Sequence, residues 1–187
     1  MNVALFASGK GTNVENILTY FRDNEKIKIL FIATNNLKSG VINHAKSYSI
    51  PLLTFKKLDL ANTKKLVNKL NNKRVDLVVL AGFLIKIPKE FISQFNGKII
   101  NIHPSLLPKY GGKGMYGDYV HKAVLENKEK ETGITFHFVN EKYDEGEIIS
   151  QHKILIEDSE TINSLKNKIS QLELLNYPRI IRSFLDE

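Results

Sequence analysis

Cysteine is absent from the 187 residues, and so is tryptophan. Without a thiol there is no disulfide and no thiolate metal site, and a reducing compartment is the natural setting. The five histidines lack H-x₃₋₅-H or H-E-x-x-H spacing, so no metal is expected. No stretch approaches the ~20 apolar residues that a membrane helix requires, and MNVALFASGKGTN has no basic leader before a long apolar run. A cytoplasmic protein with no membrane partner is expected. Arginine is scarce: Arg22, Arg74, Arg179 and Arg182 stand alone among 27 basic residues, the rest being lysine. Those lysines are scattered among Asn and Glu rather than gathered with aromatics. The net charge of +7 therefore reads as a solvated surface that attracts small anions, not as a nucleic-acid interface.

What is present is ordinary for a globular chain, with 42% hydrophobic and 25% charged residues. No repeat, linker or low-complexity segment divides it, so one domain over residues 1–187 is expected. Short β-branched runs at 2–7, 28–34, 50–55, 76–82 and 98–103 predict strands. Between them, 12–21, 38–47, 60–70 and 88–94 carry helical spacing, with Pro88 suited to a first helical turn. Alternation of this kind, with near-continuous apolar strands, argues an open and mostly parallel α/β sheet with helices on both faces. A helix near 117–127 follows. Runs at 132–139 and 147–156 are separated by a short connection and predict an antiparallel pair. A final helix over about 161–184 would bury Ile162, Leu165, Ile169, Leu172, Ile180 and Phe184.

Open α/β sheets bind ligands beyond the carboxyl ends of their strands. Four segments are expected at that edge. SGKGTN at 8–13 follows the first strand and opens a helix; it is either a structural glycine turn or a cradle of backbone amides for an anion. It has neither G-x-G-x-x-G nor P-loop spacing. Asn101 and His103 stand two apart at a strand end and so share a face; a lone buried His is often plain core, but this pair leaves many donors and acceptors to satisfy. Asp144 lies in YDEGEI, either an everyday Asp-x-Gly turn or a carboxylate held ahead of a strand. LAGFLIKIP at 80–88 is either core or the wall of a pocket for a flat apolar ligand.

Together these segments resemble the folate-dependent formyltransferases over essentially the whole chain. NIHPSLLPKY at 101–110 is the most specific piece, YDEGEII at 143–149 is similar to the family's Asp-x-Gly-x-Ile turn, and SGKGTN resembles the branch acting on glycinamide ribonucleotide. The resemblance implies a Rossmann-like fold. It also implies transfer of formyl from 10-formyltetrahydrofolate, as cosubstrate, to the amine of 5-phosphoribosylglycinamide in de novo purine biosynthesis. Small molecules would be the only substrates, with the oligomeric state open between monomer and homodimer.

By the same resemblance Gly11, Thr12 and Asn13 would hold the ribonucleotide phosphate and Glu173 the ribose hydroxyls. Leu84, Ile85, Lys86 and Ile87 would line the folate pocket, with Asn101 also meeting the folate. Asn101, His103 and Asp144 would be catalytic: Asn101 and a protonated His103 donating to the oxyanion of a tetrahedral intermediate, Asp144 raising the His103 pKa above ~6.5 and relaying protons. A transfer RNA formyltransferase shares the Asn-x-His-Pro run but normally adds a C-terminal RNA-binding domain, for which the roughly 30 residues after the last strand leave no room; a formyl-folate hydrolase would use water and add an N-terminal domain. Two departures from the family pattern stand out. The loop at 111–124 is longer than the common form, and Leu174 stands where a His often follows the Glu.

Overall fold

The first strand, β1 (Asn2–Phe6), is a run of apolar side chains whose last four residues are fully buried. Burial on both faces is what a parallel strand needs. The computed structural model describes residues 1–185 and completes this opening with a regular alternation. The elements are α1 (Thr12–Tyr20), β2 (Lys28–Thr34), α2 (Val41–Ser47), β3 (Leu52–Thr54), α3 (Leu60–Asn72), β4 (Leu77–Leu80), α4 (Lys89–Gln94), β5 (Lys98–His103), α5 (Asp118–Glu126), β6 (Glu131–Phe138), β7 (Ile148–Leu155) and α6 (Ile162–Ser183). The strand order is β3-β2-β1-β4-β5-β6-β7. β1 pairs in parallel with β2 and β4, β2 in parallel with β3, and β6 antiparallel with β7. The expected open, mostly parallel α/β sheet with an antiparallel pair toward the C-terminus is therefore what forms.

Two compact units share the chain. One comprises Met1–Ile100 and the chain from Pro178 on, the other Asn101–Tyr177. In the first, Leu5, Phe6, Ile32, Val78 and Val79 of the sheet and Val14, Ile17, Val67 and Phe91 of the helices are fully buried. Phe6 anchors an aromatic cluster, meeting Phe91 edge-on at 6.0 Å and Phe83 at 5.5 Å between ring centroids. In the second, Ile134 and Phe136 of β6, Val120 and Val124 of α5, and Leu165, Ile169 and Tyr177 of α6 form the core. Phe136 and Tyr177 meet at 5.1 Å.

Several element ends differ from the sequence expectation for local reasons. β3 keeps three residues rather than six. α2 starts at Val41 rather than Lys38, because Asn36 ties the preceding turn by accepting from the Lys38 N–H at 2.9 Å. Pro88 is the residue before α4, not in its first turn, since its ψ of 153° is extended. On α6 the expected inner face is partly corrected: Leu165 and Ile169 are buried, but Ile162 is exposed, and Tyr177 and Ile181 carry the burial further along. Pro178 stands inside α6 and lacks an N–H to donate.

Candidate active site

In the first unit, β1 runs out at Phe6 and the chain passes through Ser8–Lys10 into α1. Gly11 caps that helix in the left-handed region, φ 85°, with no side-chain cap. A Cβ at Gly11 would stand 2.5 Å from Val41 Cγ1 and 3.0 Å from His44 Cδ2. Conformation and space thus both call for glycine. Thr12 and Asn13 follow as the first helical residues, so the N-terminal amides of a nine-residue helix are presented there. The loop is braced from two sides: Ser8 N–H donates to the Gly82 carbonyl at 3.0 Å, and Gly40 N–H to the Gly9 carbonyl at 3.1 Å.

The same Ser8 brings in the apolar segment. Leu84 N–H donates to Ser8 Oγ at 3.0 Å, which places Leu84, Ile85, Lys86 and Ile87 beside the glycine loop. Their side chains differ sharply. Leu84 is 66% exposed, an unusual position for a leucine, whereas Ile87 is buried at 2% and belongs to the core. Ile87 can therefore offer a pocket only its backbone. Phe83 backs the segment, stacking edge-on against Phe55 and Phe6.

The second unit assembles the polar residues. Asn101 and His103 end β5 on one face, and Asp144 sits in the turn between β6 and β7 with φ 55°. The three meet. His103 Nδ1 lies 3.5 Å from Asp144 Oδ2, with both side chains well shielded. His103 Nε2 is 2.7 Å from the Tyr110 carbonyl oxygen. A carbonyl only accepts, so Nε2 carries a hydrogen in either charge state, and Nδ1 is the nitrogen that exchanges its proton. Asp144 Oδ2 also accepts from the Gly112 N–H at 2.8 Å.

A fourth residue, His137 of β6, was missed by the sequence reading. It is buried, its Nδ1–H donates to the Phe138 carbonyl at 2.8 Å, and its Nε2 accepts from Asn101 Nδ2 at 3.1 Å. The same Nε2 stands 3.7 Å from Asp144 Oδ1. His137 thereby orients the Asn101 amide. The only signal in the sequence was a polar residue inside FHFV, indistinguishable there from a satisfied core histidine. Glu173 lies on α6, one turn ahead of the fully buried Tyr177, whose phenol burial pushes up, with the Glu173 charge adding to it.

Electrostatics correct one expectation. Burial holds His103 below the usual imidazole range, and the raising effects of Asp144 and of the Tyr110 carbonyl do not overcome it. His137 is likewise held down by burial, against opposition from the Phe138 carbonyl and Asp144. The expected rise of the His103 pKa is thus reversed in direction: burial outweighs the Asp144 carboxylate that Nδ1 faces at 3.5 Å. Among the described residues, no three of His, Asp and Glu are placed to hold a metal ion. No described helix is long and apolar enough to cross a membrane.

The chain is similar to known proteins over nearly its whole length. Residues 1–181 match the formyl transferase family model. A curated chloroplastic phosphoribosylglycinamide formyltransferase of Arabidopsis thaliana is 37% identical over 99% of this chain, which spans 65% of that protein's length, just under two thirds. The phosphoribosylglycinamide formyltransferase of Haemophilus influenzae is 33% identical over 98% of this chain and 87% of its own. The crystal structure of the enzyme of that name from Bacillus halodurans superposes with a TM-score of 0.89 at 31% identity, covering all of this chain and 96% of that one. With the family's sequence matched almost end to end and the fold shared, the chain belongs to the formyl transferase family.

Proposed function

We propose that this chain transfers the formyl group of 10-formyltetrahydrofolate to the amine of 5-phosphoribosylglycinamide, as a single formyltransferase domain. The observation that carries the reading is the meeting of Asn101, His103 and Asp144 in a shielded cluster. The named relatives supply the substrates. Asn101 donates its second amide hydrogen to the oxygen that becomes negative as the amine attacks the formyl carbon. His103 Nδ1 and Asp144 handle the proton that the amine loses and the folate nitrogen gains. A neutral, buried imidazole suits this task, because it can accept that proton near neutral pH.

In the first unit, Gly11, Thr12 and Asn13 present the amides of the α1 N-terminus to the ribonucleotide phosphate. Leu84 and Ile85 supply an apolar wall, and the backbone of Leu84–Ile87 the polar contacts, for the folate ring. Glu173 on α6 would accept from the ribose hydroxyls. The partners on this reading are small molecules, and the scattered lysines favour no nucleic acid. A compartment that keeps purine precursors and folates, such as the cytoplasm, is the expected location.

The test is a coupled assay with purified protein, glycinamide ribonucleotide and 10-formyltetrahydrofolate, following the appearance of deformylated folate. Ribonucleotide-dependent turnover is expected. Loss of formyl from the folate at the same rate without ribonucleotide would instead assign water as the acceptor.

A further inference from the structure

Outside the residues already assigned, the segment after β5 makes an unusual pair of contacts. The Tyr110 carbonyl accepts from His103 Nε2, and two residues later the Gly112 N–H donates to Asp144. One short stretch of backbone therefore holds both members of the acid–base pair. Tyr110 adopts φ 56°, a region that a bulky residue enters only when its surroundings compel it. Gly111 contributes by fitting where a Cβ would lie 2.5 Å from Leu107 Cδ2.

Something must hold Tyr110 in that conformation. Its phenol donates to Glu129 Oε1 at 2.9 Å, and Lys109 Nζ donates to the same oxygen at 2.8 Å. Glu129 lies between α5 and β6, nineteen residues from Tyr110, so the tie is a tertiary one. A cavity lined by Leu107, Tyr110, Glu129, Gln151 and Lys153 opens beside this tie.

We propose that Glu129 is a positioning residue that acts through the Tyr110 phenol to hold the Tyr110 carbonyl against His103 Nε2–H, so that Nδ1 is kept as the proton-exchanging nitrogen opposite Asp144. The proposal deepens the functional reading above and rests on it for the role of His103. Groups facing His103 from its surroundings are Asp144 of the β6–β7 turn, His137 of β6 and His121 of α5, none of which Glu129 touches. The Tyr110 carbonyl also raises the His103 pKa, so losing it moves the titration down.

Four variants test this: Glu129→Ala, Tyr110→Phe, the double variant that combines these two, and Glu129→Gln, the last retaining an acceptor oxygen for the phenol. Nitrogen-15 spectra of the imidazole read the tautomer directly, and kcat and KM are measured alongside. In Glu129→Ala and Tyr110→Phe, a mixture of His103 tautomers at high pH, a lower titration midpoint and a roughly tenfold fall in kcat with KM held within about twofold are expected. That fall is smaller than the ~10²–10⁴ of losing an acid–base group outright. The double variant should be no worse than either single one, since both cut the same tie. Glu129→Gln should recover most of the wild-type tautomer and rate. An unchanged His103 tautomer and titration in both Glu129→Ala and Tyr110→Phe would overturn the proposal. Because the imidazole spectra need no turnover, a wild-type protein that lacked formyl transfer would overturn the functional reading while the spectra still decided what Glu129 holds in place.

Discussion

The candidate residues of the two units are made of opposite materials. The first presents main chain, the helix-end amides at Gly11–Asn13 and the backbone of Leu84–Ile87, and its one charged side chain there, Lys86, is exposed. The second presents buried titratable side chains, each tied by a partner: His103 to Tyr110 and Asp144, His137 to Phe138 and Asn101. Backbone amides keep their charge pattern at every pH and are altered only by changing the chain's path. Side-chain groups can be erased by one substitution and re-tuned by their surroundings. The contrast teaches where each unit is vulnerable.

The largest effects are expected in the second unit. Asn101→Ala and His103→Ala should each lower kcat by roughly 10²–10⁴, with the chain still folded by circular dichroism, because each removes a group acting in the transition state. Near-wild-type turnover in either variant would reduce the cluster to plain core and erase the contrast. Asp144→Asn is expected to come next, with a loss of about 10²-fold. Asn keeps an oxygen for the Gly112 N–H but removes the charge that pulls the His103 pKa up, so the histidine should titrate still lower. If Asp144 only shapes its turn, Asn would serve almost as well, and imidazole titration beside pH–rate profiles separates the two cases.

A change of chain path tests the first unit. Gly11→Val must enter the left-handed region and meet Val41 and His44. Strain of about 1–2 kcal/mol is expected, together with a KM for the ribonucleotide raised about tenfold and a folate KM hardly moved, as for one lost charge-assisted hydrogen bond. Equal increases in both constants would mean general misfolding rather than a damaged phosphate cradle.

The smallest effect is on stability. His103, His121 and His137 are all held below the usual ~6.5 by burial. The unfolded chain therefore takes up protons before the folded one does. Their contribution is complete above about pH 6.5 and is lost as pH falls from there through the lower folded midpoints. Thermal midpoints measured from pH 8 to pH 5 should decline by a few degrees, and His137→Gln should flatten the slope. A midpoint that rose on acidification would contradict the buried, neutral state assigned to these histidines.

Much of this arrangement is legible residue by residue. Asn101 and His103 are visible as polar groups two apart at the end of an apolar strand, where the pleat puts them on one face. Gly11 is visible as a glycine between a strand and a helix. Ile162 was misjudged because helical periodicity marks a face but not where along the helix its burial begins. His137 escaped because its partner Asn101 lies thirty-six residues away, and nothing in FHFV points to it. The anchoring of His103 by the Tyr110 carbonyl was equally hidden, since a backbone oxygen has no signature in the amino-acid code.

The sequence by itself determined the strand–helix alternation, the glycine loop that opens α1 and the three polar side chains, Asn101, His103 and Asp144, on which the proposed chemistry rests. All of these follow from local rules: side-chain period, backbone freedom and residue chemistry. Only the tertiary structure decided that burial outweighs Asp144 in setting the direction of the His103 pKa, which of its nitrogens meets a carbonyl and which a carboxylate, and which group the Asn101 amide meets. Those properties depend on how much water is excluded and where distant carbonyls fall, and both are set by the packing of segments that are far apart in the chain.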